Sequence, residues 1–281
     1  MKEDAENNFY LLLRSPLRLL LLYIGIISIL LPAFPQTAQE IRKKQNVTVD
    51  TSKIECIYRL DEVDTLNNKS KSNLYILQVG ENYSLCGDLN DYRKDSVWIA
   101  VDYDYDEDMF FKVFNRFLSY TFDQVLRHGA DFTVRNNFLL NAVEYVDSAF
   151  KINWEMSDDT LTVCGYLCHK ATAAIRGKNW TAWYADEVPV DAGPWKFHGL
   201  PGLILKASDS DNLIDFEAEE IRKPHVLPLK TQYRWKRISR QKYLEMERAL
   251  GYGTLKLSIP GMPNVKHDTR PLNFYCPKET E

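Results

Sequence analysis

The sequence predicts an α+β protein in which a curved antiparallel β-sheet packs on one or two helices. Two observations predict the sheet, and one the helices. Aromatic residues make up 12% of the 281 residues (16 Tyr, 13 Phe, 6 Trp), and such side chains suit a pleated, half-buried surface. Short runs of β-branched and aromatic residues recur between polar turn clusters from residue 54 to residue 221. Helical spacing of apolar residues shows in only two stretches.

In chain order, residues 39–50 are polar and read as a frayed opening segment. Ile54–Leu60 mixes β-branched and aromatic residues and predicts a strand; Asn67–Asn73 is a polar loop. Leu74–Val79 and Tyr83–Cys86 flank Gly80-Glu81-Asn82, the pattern of a hairpin with a three-residue loop. Met109–Leu126 predicts a helix, with Phe110, Val113, Phe114, Phe117, Tyr120 and Val125 largely on one face and His128-Gly129 as its stop. Strands are then expected at Phe138–Tyr145, Lys151–Met156, Leu161–Tyr166, His169–Ile175, Trp180–Ala185, Leu203–Ala207 and Ile214–Ile221. Turns are read at Ser157-Asp158-Asp159 and Arg176–Asn179. A second helix is expected near Ser239–Leu250. Within 180–185, Trp180 and Tyr184 point to one face and Thr181, Trp183 and Ala185 to the other. Aromatics on both faces mean that both sides of this strand are covered, by a helix under a curved sheet or by a second sheet.

The N-terminus sets the expected compartment. Leu19–Leu31 carries no charge, follows Arg14 and Arg18, and is broken by Pro32 and Pro35. Its length as a helix is about 20 Å, short of a ~30 Å hydrocarbon core. A basic flank, a short apolar segment and a polar exit predict a signal peptide over 1–38, cleaved after Ala38, with an uncleaved anchor as the competing expectation. The mature chain, 39–281, is expected to form a single domain with a helical insertion near 107–128 and no stable membrane span. A periplasmic or outer-envelope location follows. The net charge of −4 excludes a dedicated nucleic-acid binder, whose footprint is basic. In an oxidising compartment Cys56, Cys86, Cys164 and Cys168 have the number for two bridges, leaving Cys276 over.

The most distinctive stretch runs from Trp183 to Ile204. It holds Trp183-Tyr184, Glu187-Val188-Pro189, Gly193-Pro194-Trp195 and the hexapeptide Gly199-Leu200-Pro201-Gly202-Leu203-Ile204, preceded by Gly165-Tyr166-Leu167-Cys168-His169-Lys170-Ala171. Gly199 and Gly202 around Pro201 describe a stiff loop held down by Trp195, Phe197 and Leu200. These elements resemble the GLPGLI family of exported proteins from Bacteroidetes-type bacteria, over roughly residues 150–225. The tail departs from the family pattern, with Asn273–Glu279 in place of an Asn-Pro-Ile-Glu-like ending. The resemblance implies export and no particular activity. The strand series with its Gly-Leu-Pro loop also looks like the lipoprotein-carrier half-barrels, and that likeness implies a half-barrel around an apolar cavity.

Three chemistries follow from the residues. Trp183, Trp195, Phe197, His198 and Leu200 are candidates to line a site for an apolar small molecule, a lipid or an envelope protein partner. Cys164-x-x-x-Cys168-His169 is a candidate copper or zinc set if the segment curls. On a regular strand Cys164 and Cys168 lie about 13 Å apart, beyond the ~7 Å that a disulfide spans. Asp102, Asp104, Asp106 and Asp108 miss the EF-hand pattern, which needs Gly at 107 and Glu at 113, and read as acids before a helix N-terminus. Among His128, His169, His198, His225 and His267 none lies in a known hydrolase motif, and His198 beside the Gly-Leu-Pro loop is the candidate base for an unrecognised hydrolase. The sequence names no cofactor. Its leading expectation is a non-enzymatic envelope binder.

Overall fold

The structure, a computed structural model, describes residues 46–117, 123–138, 141–223, 228–232, 235–254 and 275–279. The expected leader and its cleavage point lie outside these residues, as do His225 and His267. Among the described residues no helix is long and apolar enough to cross a membrane. The elements are β1 (Asn46–Thr51), β2 (Ile54–Asp64), β3 (Lys69–Val79), β4 (Tyr83–Asp88), α1 (Leu89–Ala100), α2 (Glu107–Arg116), β5 (Gln124–His128), β6 (Asp131–Phe138) and β7 (Asn141–Asp147). They continue with β8 (Glu155–Val163), β9 (Tyr166–Ile175), β10 (Lys178–Ala185), β11 (Leu203–Asp209), β12 (Ile214–Arg222), β13 (Pro228–Gln232), β14 (Lys236–Arg237) and α3 (Arg240–Gly251).

Twelve strands make one open sheet in the order β14-β7-β6-β5-β4-β3-β2-β12-β11-β10-β9-β8. Every pair is antiparallel except β14 with β7. The sheet is strongly curled. Tyr58 of β2 donates to the Ile204 carbonyl of β11 at 2.8 Å, past the intervening β12. The β8–β9 turn comes back so far that the Cys164 thiol reaches the Ile221 backbone of β12. The fold is the predicted α+β class, a curved antiparallel sheet that does not close into a barrel, with three helices among the described residues.

Alternation of side chains explains the two layers. Tyr58, Leu60, Tyr75 and Leu77 point into the concave side, where they join Phe132, Tyr145, Trp180 and Phe216 in the main core. Ile57 and Ile76, of opposite parity, meet Leu89 and Tyr92 of α1 on the convex side. Leu85 and Leu126 meet Val49 and Leu229 of the β1–β13 ribbon there. Strands β2 to β5 are therefore covered on both faces around Ile57, Ile76, Leu85 and Leu126, whereas the first half of β3, Lys69–Leu74, is largely exposed.

Four expectations are corrected. Of the helix expected over Met109–Leu126, the described residues keep α2, capped by Asp106, whose side chain accepts from Met109 N–H at 2.8 Å, and ending at Arg116; residues 118–122, with Tyr120, lie outside the described residues. Gln124–His128 pairs with β4 as a strand. Val125 and Leu126 are adjacent and both buried, one in the concave core and one under the ribbon, so this apolar doublet belongs to a two-sided sheet. The turn at Ser157-Asp158-Asp159 is a register shift inside one continuous strand, β8. Two extra residues, Asp158 and Asp159, are absorbed there as a bulge. Residues 151–154 are not strand, and β1 occupies part of the expected frayed segment.

Candidate functional site

Residues 186–202 leave β10 and cross the concave face before β11 begins. The loop is knitted to its own base: Leu203 N–H donates to Val188 O at 2.9 Å, Ile204 N–H to Ala192 O at 3.0 Å, and Phe197 N–H to Pro194 O at 3.1 Å. Gly202 is required by a close approach, since a Cβ there stands 2.0 Å from the Ala185 carbonyl oxygen. Gly199 has φ +89°, open to glycine and strained for other residues. At its far side the loop is pinned to β5 and β4. Arg127 pairs with Asp191 at 2.8 Å, and Trp195 N–H points at Cys86 Sγ at 3.4 Å.

At the loop's centre is a lysine that is 0% exposed, Lys196. Its ammonium lies 3.1 Å from Asp147 Oδ2, 3.3 Å from the Tyr145 hydroxyl, and in an ion pair with Glu279. The rings of Trp195, Phe150 and Tyr145 surround it at 4.9, 5.1 and 5.6 Å. Asp147 takes a second ion pair from Arg176 at 2.6 Å, and Glu279 one from Arg240 of α3. Tyr145 donates to Glu279 at 2.9 Å, and burial followed by the Glu279 charge drives its pKa well above the ordinary range. A buried ammonium is tolerable only when its donors meet partners, and all of these partners are in place.

Glu279 belongs to a tail segment, 275–279, laid along the same face. Tyr275 N–H donates to Asp64 at 2.7 Å, the Cys276 thiol to Leu213 O at 3.5 Å, and Lys278 to Glu62 at 3.1 Å and Asp123 at 3.4 Å. Burial opposes the Lys278 charge, but Glu62, Asp123 and Glu247 outweigh it and raise the pKa well above the usual lysine value. Asp123 is held low in turn: burial pushes it up, and Lys278 with the Tyr75 hydroxyl more than reverses this. The tail thus inserts one cation between carboxylates and one carboxylate between cations.

The sequence candidates fall in different places. Trp195, Phe197 and Leu200 are 7, 1 and 3% exposed and pack with Trp180 and Phe216 as core. His198 is buried beside them, its Nδ1 3.0 Å from Lys196 O and its Nε2 3.0 Å from Phe150 O. A neutral imidazole donates from one nitrogen only, and burial holds the His198 pKa below the ordinary value. Both nitrogens face backbone carbonyls, a poor posture for a general base. Trp183, of opposite parity to Trp180 on β10, is half-buried against the edge of the core, with the Lys170 ammonium 5.8 Å from its ring.

The metal candidates also separate. Cys164 sits at the β8–β9 turn with φ +51°, while Cys168 and His169 are consecutive on β9 and so project to opposite faces. His169 looks to Asp186 at 3.9 Å, whereas the Cys168 thiol turns to Tyr166 O at 3.6 Å. Among the described residues no three His, Cys, Asp or Glu side chains converge as a metal ligand set. All five cysteines are free thiols, where paired ones were expected. Burial pushes Cys56 and Cys86 up to about 12, and Cys168 and Cys276 up to about 11, so they are protonated at neutral pH and unreactive. The groups that sequence reasoning missed are Lys196, Asp147, Tyr145, Glu62, Asp123 and the Lys278-Glu279 pair. The available signal was the lone cation in Pro194-Trp195-Lys196-Phe197.

The model of a family described as "Protein of unknown function (Porph_ging)" matches residues 174–206, which include the end of β9, β10, the crossing loop and the start of β11. No curated protein matches the chain. Among solved structures the chain is similar to PNGF-II in two crystal forms, with 16 and 17% identity and a TM-score of 0.48 in both. These matches cover 70% of this chain but only 33 and 32% of those chains, so it spans about a third of their length. A domain from Vibrio parahaemolyticus, described as that of an outer membrane lipoprotein-sorting protein, aligns at 13% identity and a TM-score of 0.27, covering 69% of this chain and 93% of that one.

Proposed function

We propose that this is an exported cell-envelope protein that works without catalysis, by binding a protein partner on its outer surface. The charge-free run Leu19–Leu31 behind Arg14 and Arg18 supports export. The observation that carries the binding mode is the filled interior. In a half-barrel carrier a lipid or apolar ligand occupies the concave side; here Trp195, Phe197 and Leu200 take those positions, with Lys196 locked among Asp147 and Glu279. In this reading Trp195, Phe197, His198 and Leu200 hold the loop in place, and the half-buried Trp183 is the one of the five near a partner.

Mass spectrometry under native and then denaturing conditions tests this on protein purified from its own envelope. The expected result is one polypeptide mass in both states. Cross-linking before lysis is expected to give a discrete heavier species containing a second polypeptide. A lipid-sized excess that dissociates on denaturation would overturn the reading, as would cross-linked material containing this chain alone.

A further inference from the structure

We propose that the free edge of the sheet, strand β8, is a strand-addition site for an extended partner segment in which basic residues alternate with small apolar ones. This rests on the partner-binding reading and names its surface. Among the described residues strand β8 ends the twelve-strand order and pairs only with β9. Eight of its nine residues, all but Val163, are exposed, so neither face of the strand is covered. The opposite edge, β14, is two residues long and next in sequence to α3. The two paired runs of β8, Glu155–Ser157 and Thr160–Val163, offer backbone donors and acceptors over about 23 Å, the geometry that strand addition uses.

The side chains state the chemistry of the partner. Met156 is 65% exposed, Leu161 38% and Leu167 of the adjoining β9 48%, which places three exposed large apolar residues on one hairpin. Glu155, Asp158 and Asp159 share the strand with them, and of these only Asp159 has a cation close by, Lys170 at 2.9 Å. A full-length antiparallel pairing of β8 with a second copy puts Asp159 against Asp159, and in-register parallel pairing stacks all three acids. Like charges opposed across strands are destabilising. The acidity therefore disfavours self-pairing and favours a basic strand, while the bulge at 158–159 divides the edge into two short runs.

The test uses the full chain and a labelled nine-residue peptide alternating Lys with Val and Thr, read by fluorescence anisotropy and by amide hydrogen exchange. Saturable binding is expected, with slowed exchange over 155–163. Binding is expected to weaken by roughly tenfold or more when alternate peptide nitrogens are methylated, which removes the strand donors, and likewise in D158K/D159K. Equal binding of the methylated peptide, or of a same-composition peptide with its lysines in one block, would overturn the proposal, as would protection outside 155–163 or no binding. A cross-linked partner mapped to another surface overturns the β8 assignment alone, whereas lipid in the native mass overturns the partner reading itself.

Discussion

The Lys196 lock and the β8–β9 hairpin break the usual distribution of side chains in opposite directions. In the lock, Lys196, Asp147 and Glu279 are buried among Trp195, Phe150 and Tyr145. On the hairpin, Met156, Leu161 and Leu167 stand in solvent beside Glu155 and Asp158. Every charge in the lock meets an opposite charge of this chain. The hairpin's apolar side chains meet little of this chain, although the Tyr184 hydroxyl reaches Met156 Sδ at 3.5 Å. A misplaced residue with partners in its own fold is explained by that fold. One without them directs attention outward.

The sharpest way to break this contrast is Lys196→Ala. Asp147 and Glu279 then keep only the partly exposed Arg176 and Arg240, and a loss of up to about 3–5 kcal/mol is expected in urea unfolding, because the buried ion pairs to the lysine are broken. Adding Glu279→Gln to that variant should restore part of the loss. An unchanged midpoint for Lys196→Ala would remove the lock as a stabilising feature.

A smaller effect is expected beside the tail. Burial pushes the Glu247 carboxyl on α3 up to about 7, despite the nearby Lys278, and Glu279, Asp123 and Glu62 add to the rise. The folded state therefore holds a proton that the unfolded chain releases at a lower pH. The stability this contributes is complete below the ordinary carboxylate range and is lost as pH rises through 7. With its partial exposure screening the effect, Glu247→Gln should stabilise by on the order of 1–3 kcal/mol near pH 8 and change little near pH 4. Melting curves at the two pH values check it, and a pH-independent difference would contradict it.

At the hairpin the expected change is smallest. Met156→Lys and Leu161→Lys should each alter unfolding free energy by no more than about 0.5 kcal/mol, as for surface positions without special contacts. A loss comparable with that of Lys196→Ala would show the hairpin to be structural and dissolve the contrast.

The sheet was legible in the sequence where alternation and turn residues agreed, as at the Gly80–Asn82 hairpin and at β9 to β12. It was illegible where covering elements buried both faces, as at Val125-Leu126, and where a helix had little apolar stripe. Helix α1 buries only Leu89 and Trp98 among its twelve residues. The site was legible as a loop and not as a lock. Lys196 reads as an ordinary loop cation because its carboxylates lie 49 and 83 residues away, at Asp147 and Glu279. Periodicity carries no information across such separations; only the curl of the sheet brings them together. The Cys164, Cys168 and His169 set needs the segment to curl, and β9 instead runs extended through Cys168 and His169, which sends them to opposite faces.

The position of β2 in the sheet bears on when the molecule can fold. Its two neighbours are β3, next along the chain, and β12, whose Arg222 meets Glu55 across 167 residues. Half of the hydrogen bonds of this central strand therefore wait for a segment synthesised much later, and the tail that locks Lys196 comes later still. Long-range pairing of this kind slows folding, since the loop must close before any contact rewards it. A nascent chain of this topology stays unfolded while most of it is made. The export proposed above would need that condition, since a polypeptide threads a narrow channel unfolded.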